Sequence, residues 1–337
     1  MEWNKYQYAT TFYDTIREMR ISWSSLFRIL LTVALTVLGI LFFRSTHGQL
    51  QSGYEALKQA NLWYVLLSLL LTALAVTMQA QTIRFCYRTI RRSVDLLHCL
   101  NLYLKRFFLS PFIPGGFSVA QYTMSHELEQ YGITSSENAF VSTVYVLTGS
   151  CTYILILIIS LIFAGLRGTL QTSRFYSILL IFTASIIVLI LLLYLFRKEL
   201  LGRIRQWLHP YIGNFDLQPL LSAFLGSFVV DLLGILILWS SLRGVGHPIS
   251  FEYATLGYII TILIITLSPF FQGLVVVEGA LVYTLKEFGV PPGPAFAGAI
   301  VFRTFQLWIP LLVGGIVYVV PNVLRWLHSG HSKLFRP

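Results

Sequence analysis

The chain has 337 residues, of which 56% are hydrophobic and only 11% charged, with a formal net charge of +10. Soluble domains carry about 25% charged residues, so this composition excludes a water-soluble globular protein. The excess of positive charge suits the cytoplasmic loops of a membrane protein. No interleaved basic and aromatic surface exists outside the apolar segments to bind nucleic acid.

Residues Met1–Arg20 are polar and mixed in charge, without the apolar core of a cleavable signal. The first membrane helix is therefore expected to act as its own insertion signal. A hydrocarbon core of about 30 Å needs about 20 apolar residues to cross. In chain order, Ser22–Phe43, Gln59–Ile83, Ala139–Leu166, Phe175–Phe196, Leu217–Leu242 and Pro294–Val320 meet this requirement. Only Arg28, Asp231 and Arg303 interrupt them with charge. Segments 48–60 and 199–215 read either as short interfacial elements or as ordinary loops. Cys86, Cys99 and Cys151 show no metal or redox spacing and are expected to be packing residues. No metal or cofactor is indicated.

Basic residues cluster at the N-terminus (Lys5, Arg17, Arg20, Arg28), after the second helix (Arg84, Arg88, Arg91, Arg92), over Arg197–Arg205 and in the tail (Arg325, Lys333, Arg336). The positive-inside rule places these groups in the cytoplasm, with both termini on that side.

Between the spans, the chain repeats itself. Ser110-Pro111-Phe112-Ile113-Pro114-Gly115-Gly116 is followed by Gln130-Tyr131-Gly132-Ile133. Later, Ser268-Pro269-Phe270-Phe271-Gln272-Gly273 is followed by Glu287-Phe288-Gly289-Val290. Proline removes a backbone donor and glycine weakens a helix interior. Freed backbone survives at membrane depth only inside protein or beside water. Residues 94–131 and 251–290 are therefore expected to be re-entrant or broken helix pairs. Eight full crossings joined by sharp turns remain the alternative.

With the re-entrant reading, the two halves begin on opposite sides of the membrane. The expectation is an all-α integral membrane protein with about six spanning helices, two broken pairs and an inverted-topology repeat. Its parts would be a cytoplasmic segment 1–24, a membrane domain 25–322 and a cytoplasmic tail 323–337. Repeat one would run over about 61–166 and repeat two over about 217–320. Broken helices at matching places in two halves are a pointer to a transport site.

Ionisable groups inside membrane segments are costly and are functional candidates. Lys105 and Arg106 precede the first break, Glu278 follows the second, Asp231 lies mid-helix and Arg303 lies in the last helix. Alternatively, Asp231 and Arg303 form a buried pair, Lys105 and Arg106 snorkel to the interface, and Glu278 caps a half-helix. Ser118, Gln121, Tyr122, Ser125 and Glu129 recur at helical spacing, beside His126 and Glu127, and are expected to line a hydrated cavity. Pro114, Gly115, Gly116 and Gly273 would expose half-helix N-termini, whose unpaired N–H groups suit a phosphate. No Asp-x-Asp, Gly-x-Ser-x-Gly or phosphate-loop motif points to an enzyme.

Ser268-Pro269, Gly273, Glu278-Gly279-Ala280, Phe288-Gly289-Val290-Pro291, Ala295, Ala299 and Phe302-Arg303 together resemble the C-terminal signature of the lysylphosphatidylglycerol synthase/flippase membrane-domain family. Pro111–Phe117 resembles that family's first Pro-Gly motif. The similarity runs over about residues 25–322. The charged residues that many relatives place after the first Pro-Gly are here Phe117-Ser118-Val119-Ala120-Gln121-Tyr122, and no charged pair follows near Tyr145.

The resemblance implies the flippase half alone, without the synthase domain. It implies a lipid translocase in the inner membrane, moving a phospholipid, an aminoacyl-phospholipid or a polyprenyl-phosphate-linked lipid. The alternatives are an enzyme or enzyme subunit of lipid-linked glycan synthesis and a secondary transporter of a small anion. Possible partners are a second copy of the chain or a separate lipid-modifying enzyme.

Overall fold

The computed structural model describes residues 54–55, 58–113, 120–166, 215–267 and 276–320. The expected helices at 22–43 and 175–196, more than half of the segment 48–60, all but the last residue of 199–215, both termini and Pro114, Gly115, Gly116 and Gly273 lie outside the described residues. The described part is all helical: α1 (Leu62–Arg88), α2 (Leu96–Leu109), α3 (Ser135–Leu166), α4 (Leu217–Gly244), α5 (Phe251–Leu267), α6 (Val276–Glu287) and α7 (Pro292–Val320). Short 3-10 turns cover Ser110–Phe112 and Ser125–Tyr131.

Four of these helices, α1, α3, α4 and α7, are long and apolar enough to cross a membrane. Their outer faces carry large apolar side chains such as Trp63, Leu70, Ile162, Leu225 and Ile316. Leu66, Leu69, Leu70 and Leu74 of α1 are exposed apolar side chains, a surface that suits lipid. The chain is a multi-pass integral membrane protein. α2, α5 and α6, at 14, 17 and 12 residues, fall short of a full crossing.

α1 and α4 form the central pair and run antiparallel. Each starts at a side-chain cap: Asn61 accepts from Trp63 N, and Asp216 accepts from Gln218 N, both at 3.0 Å. Such caps satisfy helix-end donors that otherwise lack partners. The main-chain N–H of each cap residue reaches across to the far end of the other helix. Asn61 N donates to Gly244 O at 2.8 Å, and Asp216 N donates to Thr89 O at 2.9 Å. Between these ends, Ser68 and Ser240 share a hydrogen bond of 2.7 Å.

α3 runs parallel to α4, since Phe140 meets Phe215 near their starts and Thr152 meets Asp231 further along. A core cluster including Ile83, Tyr87, Leu102, Leu128, Ile133 and Phe140 joins α1, α2, α3 and the 125–131 turn. α7 crosses α2 at Gly314, where an added Cβ would run into the main-chain carbonyl of Leu104.

Two turns are alike. Gly132 N donates to Glu129 O and Ile133 N to Leu128 O; Gly289 N donates to Lys286 O and Val290 N to Leu285 O. Gly132 (φ +66°) and Gly289 (φ +81°) are both left-handed, a conformation glycine adopts without Cβ strain.

One expected element differs. Of the expected polar stripe, Ser118 lies outside the described residues, and Gln121, Tyr122 and Glu129 do not share the face of one α-helix. Met124 is left-handed (φ 62°) and the chain beyond it winds as a 3-10 turn. Helical spacing therefore does not bring those side chains to one face: Gln121 is buried, while Tyr122 and Glu129 are exposed.

Candidate functional site

Among the described residues, the charged groups singled out in the sequence sit in three clusters. In the first, Lys105 Nζ of α2 contacts both oxygens of Glu127, at 2.9 and 2.7 Å. Its neighbour Arg106 turns the other way. Arg106 is 2% exposed, and its guanidinium donates to Thr123 O at 3.0 Å and to Asn138 Oδ1 at 2.9 Å. Tyr87 donates to the same Asn138 oxygen at 2.8 Å. Arg106 is thus locked into the core, and snorkelling to the interface does not describe it. A buried guanidinium is tolerated because its donors are engaged.

The second cluster is Glu278, Arg303 and Gln306. Arg303 Nε lies 2.7 Å from Glu278 Oε1, and its Nη1 donates to Gln306 Oε1 at 3.0 Å. The other carboxylate oxygen, Glu278 Oε2, is buried without a hydrogen-bond partner. The helix departs from α geometry directly after Arg303, with a π turn over Thr304–Trp308. Such turns insert one residue and recur at functional sites. Thr72 of α1 donates to Phe305 O in this turn at 3.4 Å.

Asp231 forms the third cluster. Its Oδ2 accepts from Thr152 Oγ1 at 2.7 Å and its Oδ1 from Tyr258 Oη at 3.2 Å. Of the two sequence readings, the mutual pair of Asp231 with Arg303 is not what forms. Arg303 pairs with Glu278, and hydroxyl groups from α3 and α5 hold Asp231. Tyr145 is hydrogen-bonded to Gln79.

Asn138, Tyr87, Gln306, Thr152 and Tyr258 were not singled out in the sequence. The available signal was their polarity within apolar helices, most visibly Asn138 near the start of α3.

Beside these clusters, α3 and α4 splay apart. Polar contacts hold them together further along, at Thr152 and Asp231 and, more weakly, at Thr148 and Ser227 (3.4 Å). Toward their N-terminal ends they leave an apolar cavity of about 690 Å3, lined by Val144, Leu147, Cys151, Leu220, Leu221 and Phe224 among others. Thr143 and Thr148 line it too, but their hydroxyls donate back to Ala139 O and Tyr145 O. Leu147 and Leu221 are 57% and 60% exposed. Cys151, expected as a packing residue, is exposed on this wall, whereas Cys86 and Cys99 are buried as expected. The N-terminal ends of α3 and α4 adjoin the basic end of α1, through Arg92–Glu137 (2.8 Å) and through Thr89–Asp216.

No curated protein matches this chain. The family model described as the lysylphosphatidylglycerol synthase TM region matches residues 26–314. Four long apolar helices and a largely buried Glu278–Arg303 pair thus belong to a chain that is a member of the lysylphosphatidylglycerol synthase transmembrane-region family.

Proposed function

We propose that this protein is a lipid translocase that moves a phospholipid, an aminoacylated phospholipid or a polyprenyl-phosphate lipid between the leaflets of the inner membrane. The observation that carries this reading is the apolar cavity between α3 and α4. Its walls offer no unbonded threonine hydroxyl and no charge, so it suits an acyl or prenyl chain and gives a soluble anion nothing to bind. Membership of a family associated with lipid flipping supports the same conclusion.

In this reading both termini are cytoplasmic and the cavity opens toward the cytoplasmic leaflet, because its mouth adjoins Arg88, Arg91 and Arg92. The two halves form an inverted repeat. The caps Asn61 and Asp216 are 155 residues apart, and so are their mutual acceptors Thr89 and Gly244. The paired bonds therefore obey a two-fold relation between antiparallel helices. The headgroup is held by polar groups at the breaks, Lys105, Gln121, Glu127, Glu278 and Arg303, with Gly115, Gly116 and Gly273 supplying backbone N–H groups. The Thr152–Asp231 bond ties α3 to α4 beyond the cavity-lining residues Thr148 and Cys151. Chemistry on the lipid is left to a separate enzyme.

Reconstitution into liposomes with a labelled lipid tests this. Translocation above empty vesicles is expected, and Leu147→Trp together with Leu221→Trp, which fill the cavity, should slow it severalfold. A protein that moves a soluble anion but no lipid overturns the reading.

A further inference from the structure

Gln121 has no surface exposure, yet neither its side-chain oxygen nor its side-chain nitrogen has a hydrogen-bond partner. Its main-chain carbonyl is well placed, accepting from Ser142 Oγ of α3 at 2.8 Å. The residue is thus anchored through its main chain while its buried carboxamide is left unpaired. Buried polar groups in folded proteins are nearly always paired, because an unpaired one keeps its full desolvation penalty.

The second half shows what stands at the corresponding place. The turn bonds at Gly132 and Ile133 recur 157 residues later at Gly289 and Val290, with acceptors shifted equally, from Glu129 and Leu128 to Lys286 and Leu285. At that offset Gln121 corresponds to Glu278, and Val146 corresponds to Arg303. Glu278 also keeps one buried oxygen without a partner. Positions at equal offset from the two glycine turns therefore each hold an unpaired polar atom, although Glu278 lies in the unbroken helix α6 and Gln121 precedes left-handed Met124. In the second half a cation accompanies it, whereas in the first half both charges are missing together.

We propose that Gln121 is a specificity-determining residue that binds the hydroxyl groups of an uncharged headgroup moiety, of glycerol or sugar type. A carboxamide donates through Nε2 and accepts through Oε1, and a hydroxyl does both in return. Being neutral, it gives an ammonium group no counter-charge. The nearby cations do not change this, since Lys105 is held by Glu127, and Arg106 by Thr123 and Asn138. The inference deepens the lipid-translocase reading and rests on it for the class of ligand.

The test is a binding measurement on the full chain in nanodiscs holding equal amounts of phosphatidylglycerol and phosphatidylpropanol. These lipids share charge and carbon skeleton and differ only in headgroup hydroxyls. Bound lipid is counted by native mass spectrometry. The wild type is expected to favour phosphatidylglycerol by roughly fivefold or more, the size of one net hydrogen bond. Gln121→Leu should bring the ratio near unity, and Gln121→Glu should raise the share of added phosphatidylethanolamine. If Gln121→Leu does not fold, Gln121→Met carries the same expectation.

A wild type without preference, or a leucine or methionine variant that keeps it, overturns the proposal. The latter is also the result if a buried water satisfies the carboxamide. A Gln121-dependent ratio in a protein that moves no lipid would refute the translocase reading alone. Lipid movement with no hydroxyl preference would refute the Gln121 assignment alone.

Discussion

Arg303 Nε and Glu278 Oε1 lie 2.7 Å apart, joining the last turn before the π segment of α7 to the first turn of α6. Removing one partner of such a buried pair strands the other charge, at about 3–5 kcal/mol. Arg303→Ala should therefore lower thermal stability in detergent strongly. The double variant Glu278→Leu, Arg303→Met should recover most of that loss, because apolar replacement of a whole buried pair is often neutral. It should not recover lipid movement. A double variant as unstable as the single one would show that the pair's neighbours, Gln306 among them, carry the stability.

Asp231 depends on two hydroxyl donors from different helices, Thr152 and Tyr258. Thr152→Val and Tyr258→Phe should each cost about 1.5–3 kcal/mol, as hydrogen bonds to a charged group do. In an Asp231→Leu background both effects should largely vanish. A double-mutant cycle read by thermal unfolding checks this, and additive losses would contradict the coupling.

Gly314 and Gly149 make a matched comparison. A Cβ at Gly314 would strike the main-chain carbonyl of Leu104, whereas a Cβ at Gly149 meets nothing within 4 Å. Gly314→Ala should destabilise by about 1–3 kcal/mol, since backbone has to move. Gly149→Ala should be neutral or gain up to about 1 kcal/mol from helix propensity. Unfolding midpoints of the two variants decide the point.

Much of the membrane domain was legible in the sequence, and the reasons are physical. Long uncharged runs announce α1, α3, α4 and α7, because lipid tolerates little else. The structure carries α1 on to Arg88, past the last uncharged residue, because its basic end reaches the interface. The caps Asn61 and Asp216 stood at the right places to be noticed. The pairings were not legible. Nothing local to Arg303 chooses Glu278 over Asp231, and that choice is made by the packing of α6 and α7. The stripe from Gln121 to Glu129 misled because one left-handed residue, Met124, resets the helical phase without leaving a glycine to mark it.

Topology gives a fourth expectation. In a background lacking Cys86, Cys99 and Cys151, single cysteines at positions 91 and 218 should be protected from a membrane-impermeant maleimide in intact cells. Cysteines at positions 58 and 247 should be labelled. The two hydrogen bonds that tie the ends of α1 to those of α4 require each pair to share one side. The reverse labelling pattern would turn the cavity's mouth to the outer leaflet.

Those two end-to-end bonds also fix what can move. Sliding α4 along α1 by a single residue would break the Asn61–Gly244 and Thr89–Asp216 links together, and would part Ser68 from Ser240 near the first of these ends. The α1–α4 pair is thus a strut secured at both ends. Any transport stroke has to be a swing of the shorter helices and of α3 around this fixed axle, not a shear through it.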